Sequence, residues 1–322
     1  MVEADETLEL LTALEERASA PRLKELFERP ELRRVFPALG LPTAAALALL
    51  EKVVDPDSRH GLDEVGTMLA DYVGALVACR REFEKLLVDV RANEEALVNA
   101  AFERTRKFLP EPCVRGTIRL VFLPLGYDFK TDLETAYMDP VAAVQLGPNG
   151  IERTLAHEFH HIARYRLTGV NPTHMRPEEH PPPDNHRDLF REWARWLETE
   201  GIADCVSNLT QTEIPSLRAA IEERRQQMAR YEELLDGALG EFRKVGTRPD
   251  GKNLEVLRSH LNRLSHPVGY RMAGHILSEL GRPALVSCVG HSDRFLESYN
   301  TVARAKGLTA VDPAFLSWTK GR

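Results

Sequence analysis

The sequence has little cysteine, with four in 322 residues. These residues, Cys79, Cys113, Cys205 and Cys288, are far apart, and no two of them form a C-x-x-C pair. Their spacing argues against a disulfide framework and against a thiolate zinc site. It predicts buried free thiols in a reducing compartment.

Long hydrophobic runs and a secretory leader are also missing. The longest apolar run, residues 43–50, is short and rich in alanine, so we expect no membrane-spanning helix. Residues 1–6 are acidic and lack the basic and apolar regions of a secretory signal. We therefore expect a cytoplasmic protein that does not contact a membrane.

Basic residues are not in excess either. The formal net charge is −7 at pH 7, and basic residues alternate with acidic ones, which argues against a nucleic-acid surface. With 43% hydrophobic and 28% charged residues, the chain has the composition of a globular protein. Its length suggests about two domains. We expect an N-terminal helical lobe over residues 1–110 and a second domain over residues 111–322.

The predicted fold class is α+β and mostly helical. Apolar residues recur at helical spacing over residues 7–109. Residues 117–123 and 137–146 favour β-strands because they are rich in β-branched, aromatic and other apolar side chains. Later in the chain, we expect one long helix over residues 215–244 and another helix that starts in residues 265–275.

The clearest chemical signal is an H-E-x-x-H motif formed by His157, Glu158 and His161. On a helix, the two imidazoles lie only about 40° apart around the axis, so both can face one ion. Glu158 lies about 100° from His157, where it can hold a water on the metal instead of binding the metal. Asn149, with Glu152 three residues later, predicts an N-cap for this helix.

A catalytic zinc normally takes three protein ligands and keeps one position for water. Glu200 is the expected third ligand, on a helix predicted to begin near Asn185. One face of that helix changes from apolar to acidic along the residues Trp193, Leu197, Glu200 and Asp204. We expect Asp204 to accept the second ring N–H of a ligand imidazole, which fixes the tautomer of that imidazole.

The proline-rich segment between the two helices, residues 171–185, and the residue that follows it also offer possible ligands. These are His174, Glu178, Glu179, His180 and His186. Because its prolines prevent a regular helix, we expect this segment to be a solvated loop at the rim of a cleft.

Residues 157–161, HEFHH, followed by residues 200–204, EGIAD, resemble the gluzincin clan of metallopeptidases. In particular, they are similar to the predicted zinc-dependent peptidases of domain-of-unknown-function families, whose pattern is "HEyHH … sEGlAd". The resemblance covers roughly residues 117–298, and its specific part is confined to the two motifs. It implies that residues 111–322 form a zincin-like catalytic domain, with a small β-sheet before the motif helix and a helical C-terminal part.

The resemblance also assigns roles to single residues. Glu158 matches the general base, Glu200 the glutamate ligand, and Asp204 the acid that supports a ligand imidazole. The spacing from the first motif to Glu200 is longer than in aminopeptidases and thermolysin-like enzymes, so their substrate preferences do not transfer. Metzincins are excluded, because Arg164 and Leu167 stand where their pattern needs glycine and histidine.

The predicted function is zinc-dependent hydrolysis of peptide bonds in a peptide or protein substrate. Glu158 is expected to take a proton from the metal-activated water and to return it to the leaving amine. Tyr270 and His266 are the candidate donors to the developing oxyanion. Gly269 and Gly274 suggest close helix packing in the same segment.

Two alternative functions remain open at this stage. The first is a metal-retaining but non-hydrolytic binding protein with a zincin fold. The second is a helical scaffold that binds no metal. The sequence favours the enzyme, because Glu158 is needed for catalysis and not for metal binding. Substrate specificity, cleavage position and oligomeric state are left undefined by the sequence.

Overall fold

The computed structural model describes residues 1–38, 41–54, 62–111, 118–169, 183–211, 218–245 and 251–320. Four candidate ligands of the proline-rich segment, His174, Glu178, Glu179 and His180, lie outside these residues, as does Cys113. The described part of the chain is mostly helical and contains one small β-sheet. The predicted fold class, α+β and mostly helical, is confirmed at this level.

The α-helices are α1 (Asp5–Glu15), α2 (Ala20–Phe27), α3 (Val35–Ala38), α4 (Thr43–Val54), α5 (Glu64–Ala92), α6 (Glu94–Thr105), α7 (Pro140–Thr168), α8 (His186–Ser207), α9 (Arg218–Ala229), α10 (Tyr231–Val245), α11 (Gly251–Glu279), α12 (Arg282–Val286), α13 (Ser292–Lys306) and α14 (Pro313–Thr319). The strands are β1 (Val2–Glu3), β2 (Arg119–Phe122), β3 (Phe129–Thr131) and β4 (Thr135–Met138). Short 3-10 turns lie at Leu32–Arg34, Arg106–Phe108 and Leu209–Gln211.

The sheet has the strand order β1-β2-β4-β3. β1 and β4 pair with β2 in parallel, and β3 pairs with β4 in an antiparallel manner. Every residue of β4 is buried, and its Ala136 lies opposite Leu120 of β2. In a parallel strand that is buried on both faces, apolar residues follow one another without the alternation of apolar and polar residues seen in half-exposed strands.

The second predicted strand, residues 137–146, is wrong after its first two residues. Helix α7 begins at Pro140, and a proline is well suited to the first turn of a helix. The Oδ1 atom of Asp139 accepts hydrogen bonds from the N–H groups of Val141 (2.9 Å) and Ala142 (3.0 Å). This carboxylate caps the helix. Short apolar runs do not distinguish a buried helix from a buried strand, which explains the error.

Helix α7 is interrupted at Gly147, whose φ of 62° and ψ of 178° are not helical. Pro148 then starts the segment that carries the H-E-x-x-H motif. The N-cap predicted at Asn149 is therefore wrong, because the segment starts before it. Glycine adopts a positive φ without the steric cost that a side chain adds. The predicted helix around the motif itself is confirmed.

Two later helix predictions need correction. The single helix expected over residues 215–244 is two helices, α9 and α10, with a break at Arg230. Glu232 and Glu233 lie in the first turn of α10, where negative charge favours a helix start. The start expected in residues 265–275 is also wrong, because α11 is continuous and includes Pro267 inside it.

Contacts within the chain define two compact units. The first consists of the described parts of residues 1–99 and 116–152, and it includes the sheet. In this unit, Phe83 of α5 packs edge-on against Phe122 of β2 at 5.2 Å between ring centroids. The hydroxyl of Thr7 donates a hydrogen bond to the carbonyl oxygen of Phe122 at 2.7 Å. These contacts attach α1 and α5 to the sheet.

The second unit consists of the described parts of residues 100–115, 153–170 and 181–322. An aromatic cluster anchors α10 and α14 to α8, and its members are Phe190, Trp193, Phe242, Phe315 and Trp318. The domain boundary expected at residue 110 stays a prediction.

The structure also bears on the expectations about the cysteines and about membrane-spanning helices. Cys79, Cys205 and Cys288 are free thiols, as expected. The expected burial holds for Cys288 and is wrong for Cys79 and Cys205, which are only partly buried. Among the described residues, no helix is both long and apolar enough to cross a membrane.

Candidate metal centre

The two histidines of the motif lie one turn apart on α7, and their Nε2 atoms converge. The exposed fraction is 9% for His157 and 5% for His161. Their Nε2 atoms are 2.9 Å apart, and their ring planes are nearly perpendicular at 84°. The helical spacing of the motif thus brings two ligand-type nitrogens to one buried point.

Helix α8 begins where the sequence predicts. The Oδ1 atom of Asn185 accepts hydrogen bonds from the N–H groups of Arg187 (3.0 Å) and Asp188 (3.1 Å), so Asn185 is the N-cap. Trp193 and Leu197 are fully buried on this helix. The next turn along their face carries the acidic residues of the site.

Glu200 reaches both imidazoles. Its Oε2 atom is 3.3 Å from Nε2 of His157 and 3.3 Å from Nε2 of His161, and the residue is only 8% exposed. One ligand atom from each of the three residues lies within 4.8 Å of the other two, so the group could hold a metal ion. Two imidazole nitrogens and one carboxylate oxygen form a donor set found in catalytic zinc sites, and zinc fits it.

Charge within the group keeps the carboxylate ionised. Burial alone raises the pKa of Glu200, but His161, His266 and His157 hold it well below its usual value. An ionised carboxylate is the form that binds a metal.

Asp204 lies one turn after Glu200 and joins two histidines. Its Oδ1 atom is 3.4 Å from Nδ1 of His157, and its Oδ2 atom is 3.0 Å from Nδ1 of His266. Arg224 of α9 also approaches Oδ2, at 3.4 Å. Although burial raises the pKa of Asp204, His266 and Arg224 lower it below its usual range. The carboxylate is therefore charged and can accept an N–H from both rings.

The carboxylates also act on His157. Burial lowers the pKa of His157, but hydrogen bonds to Asp204 and Glu200 and the charge of Glu158 raise it well above its usual value. A proton and a metal ion therefore compete for this imidazole, and metal binding would release the proton. Glu158 itself is only 5% exposed.

The two candidate oxyanion donors lie in different surroundings. His266 stacks on His157 at 6.0 Å between ring centroids, and its Nε2 atom is 3.6 Å from Oε2 of Glu200. The hydroxyl of Tyr270 donates to Oδ1 of Asn208 at 3.3 Å, at the C-terminal end of α8. His266 thus contacts the candidate metal-binding group, whereas this contact of Tyr270 is with the C-cap residue of α8.

His186, the one candidate ligand of the proline-rich segment that the structure describes, lies elsewhere. It is the first residue of α8, and its ring packs edge-on against Trp318 at 5.2 Å between centroids. This position places its ring at the aromatic cluster of α8 and α14.

One ion pair beside the site is not apparent in the sequence. Arg164 on α7 and Glu198 on α8 are 5% and 0% exposed. The Nε atom of Arg164 is 3.0 Å from both carboxylate oxygens, and Nη2 also donates to Oε2. The N–H of Gly290 donates to Oε1 of Glu198 at 3.0 Å. The pair joins α7 and α8, the two helices that carry His157, His161 and Glu200.

Replacing Glu198 with glutamine should leave the Arg164 guanidinium buried and without its counter-charge. Breaking one side of a buried pair costs about 3–5 kcal/mol, so we expect a loss of this size in the free energy of unfolding. Urea denaturation followed by circular dichroism measures it.

Glu192→Gln is the matched control, on the same helix. Glu192 pairs with Arg258, and their side chains are 13% and 26% exposed, so solvent screens this pair more than the Arg164–Glu198 pair and we expect a clearly smaller loss. Equal losses in the two variants would show that the Arg164–Glu198 pair contributes no more to the free energy of unfolding than the Glu192–Arg258 pair does.

The arrangement as a whole defines a class of protein: a helical protein with a buried His-His-Glu group of the kind that zinc-dependent hydrolases use. A model of the DUF5700 family, described as a putative zinc dependent peptidase, matches residues 47–307. The match covers more than half of the chain, and the chain belongs to this family. The description of the family and the buried donor group confirm the predicted zinc cofactor. Comparisons with curated proteins and with solved structures give no match.

Proposed function

We propose that this protein is a zinc-dependent peptidase in which His157, His161 and Glu200 hold the metal and Glu158 is the general base. The main support for this proposal is the position of Glu200, whose Oε2 atom is 3.3 Å from Nε2 of each imidazole. These three residues come from two helices, and all are buried. An acid that merely faced solvent would not meet both rings.

Zinc held by this group would supply Lewis acidity, which lowers the pKa of water to about 7 and polarises a substrate carbonyl. The protein supplies the proton transfers. Glu158 follows His157 directly and lies about 100° further around the helix, so it can accept a proton from the attacking water without being a ligand. It then gives the proton to the leaving nitrogen, and the peptide bond breaks.

Asp204 orients one of the proposed ligands. Nδ1 of His157 lies 3.4 Å from Oδ1 of Asp204, so in the tautomer that binds a metal Nδ1–H would face Asp204 and Nε2 would be the ligand nitrogen. The arrangement of H-E-x-x-H on one helix, a glutamate ligand on the next, and an acid one turn later supports a gluzincin-like catalytic domain.

His266 is our first choice for the donor to the oxyanion. With Nδ1 of His266 held 3.0 Å from Oδ2 of Asp204, its other ring nitrogen, Nε2, lies 3.6 Å from Oε2 of Glu200 and so faces the group that would hold the metal. A donor at that place stabilises the negative charge that develops on the carbonyl oxygen. Tyr270 stays a second proposal for this role, because its hydroxyl is engaged by Asn208.

The substrate class follows from the reaction: a peptide or protein chain. We expect the zinc-loaded protein to cleave members of a mixed peptide library. Removal of zinc with a chelator should stop cleavage, and added zinc should restore it. Mass spectrometry of the products detects cleavage and also identifies the bond.

The same assay separates the enzyme from a metal-retaining binding protein. That alternative predicts a full zinc load and no cleavage. Glu158 favours the enzyme, because its buried carboxylate follows the ligand His157 directly and can take the proton-transfer role that hydrolysis needs. A zinc-loaded protein that leaves the library intact would contradict the proposed function.

A further inference from the structure

Helices α8 and α11 cross at two glycines with their backbones in direct contact. A Cβ atom on Gly201 would lie 2.4 Å from the carbonyl oxygen of Gly269. A Cβ atom on Gly269 would lie 2.5 Å from the carbonyl oxygen of Leu197. Real Cβ atoms essentially never come closer than 3.0 Å to such atoms. Because the obstacle is backbone, it cannot rotate away as a side chain would, so any other residue must push the helices apart.

The polar residues of the metal centre lie on both sides of this crossing. Glu200 precedes Gly201 on α8, and Asp204 follows it by three residues. His266 precedes Gly269 by three residues on α11. The contacts that His266 makes with Asp204, at 3.0 Å, and with Glu200, at 3.6 Å, therefore depend on how closely the helices approach.

We propose that Gly201 and Gly269 are positioning residues of the metal centre. Their backbone contact holds α11 close enough for His266 to bind Asp204, and Asp204 in turn orients His157. The proposal rests on the proposed function, since it takes His157 and Glu200 as metal ligands.

The size of the effect follows from the distances. To move a Cβ at Gly201 from 2.4 Å to an ordinary contact of 3.4 Å, the helices must separate by 1.0 Å. A 3.0 Å hydrogen bond stretched by that amount to about 4 Å is lost. Asp204 is then held less firmly against His157, and disturbing a residue that supports a metal ligand typically weakens metal affinity about 10–100-fold.

A purely structural role for the two glycines makes a different prediction. Wider helix packing alone would reduce the stability of the metal-free protein but would leave the zinc affinity of the folded protein unchanged. Stability and affinity therefore have to be measured separately, and affinity decides between the two roles.

The test compares Gly269→Ala with Gly274→Ala, which lies on the same helix and has nothing within 4 Å of its added Cβ. Zinc affinity is measured by competition with a fluorescent chelator, at a temperature where circular dichroism shows each variant to be folded. We expect Gly269→Ala to bind zinc about tenfold more weakly or worse, and Gly274→Ala to bind as the wild type does. A folded Gly269→Ala with wild-type affinity would overturn the proposal.

His266→Ala keeps the proposal testable if Gly269→Ala does not fold. This variant removes the side chain by which the contact between Gly201 and Gly269 is proposed to act on the metal centre. It must therefore also weaken zinc binding. An unchanged zinc affinity would overturn the proposal. Where both single variants fold, the double variant Gly269→Ala/His266→Ala should bind zinc no more weakly than the weaker single variant. Additive losses would show that the glycines act by another route.

The wild type separates this inference from the proposed function. A wild type that binds no zinc would overturn both. A wild type that binds zinc tightly, together with variants that match it, would overturn only the inference about the two glycines.

Discussion

The Glu158→Gln variant is expected to bind zinc in full and to hydrolyse peptides about 10²–10⁴-fold more slowly than the wild type. Glutamine has nearly the same shape as glutamate, so the helix and its two histidines keep their places. It cannot accept a proton from water at neutral pH, so the proton transfer is lost. Metal binding and catalysis should separate cleanly at this residue, because Glu158 is not among the three proposed ligands.

The measurement is a steady-state cleavage rate on one peptide from the library, with zinc content determined on the same sample. Glu255→Gln, at an exposed position of α11, makes the same chemical change outside the site and should retain wild-type activity. Glu158→Gln with undiminished turnover would remove Glu158 from the mechanism. Loss of zinc together with activity would instead make Glu158 part of the metal-binding group.

The Glu200→Ala variant is expected to lose zinc. Two imidazoles would remain on α7, and a site with one donor fewer binds zinc far more weakly. The wild type should hold one zinc per chain after dialysis against a weak chelator, while Glu200→Ala should hold almost none. Glu158→Gln is the matched control, since it removes a neighbouring negative charge from the same site and should keep its zinc.

Thermal unfolding provides a second readout for Glu200. A ligand that binds only the folded state stabilises it by about 2.7 kcal/mol when its free concentration is 100 times Kd. Added zinc should therefore raise the Tm of the wild type and leave the Tm of Glu200→Ala nearly unchanged. Equal zinc content and equal shifts in Tm would transfer the role of third ligand to another residue.

The parts of the site that could be predicted from the sequence depend on local geometry. His157, Glu158 and His161 lie on two turns of one helix, so helical periodicity alone determines their relative directions. The change from apolar to acidic along one face of its helix indicates Glu200 as the third ligand. The pairing of the two helices remained a hypothesis, and the structure brings them together at 3.3 Å.

Contacts between distant parts of the chain could not be predicted in this way. Arg164 and Glu198 are 34 residues apart, and nothing in either local pattern indicates the partner. Of the two glycines thought to mark close packing, Gly269 does so and Gly274 does not, because only Gly269 faces the backbone of α8. The opposing glycine, Gly201, is part of the EGIAD motif, and the sequence pattern does not indicate its role in packing.

The errors around the β-sheet have a common cause. β1 has two residues and β3 has three, which is too short for an alternating pattern to show. The apolar run after β4 becomes a helix because Asp139 caps it, a contact that a count of apolar residues does not include. Tertiary context thus decided the assignment wherever the local signal was short.

Diffraction from a crystal of the zinc-loaded protein, recorded on both sides of the zinc absorption edge, tests the central claim most directly. We predict an anomalous peak about 2.0–2.2 Å from Nε2 of His157, Nε2 of His161 and a carboxylate oxygen of Glu200. A peak at another group of residues, or one with Glu200 beyond bonding distance, would contradict the account.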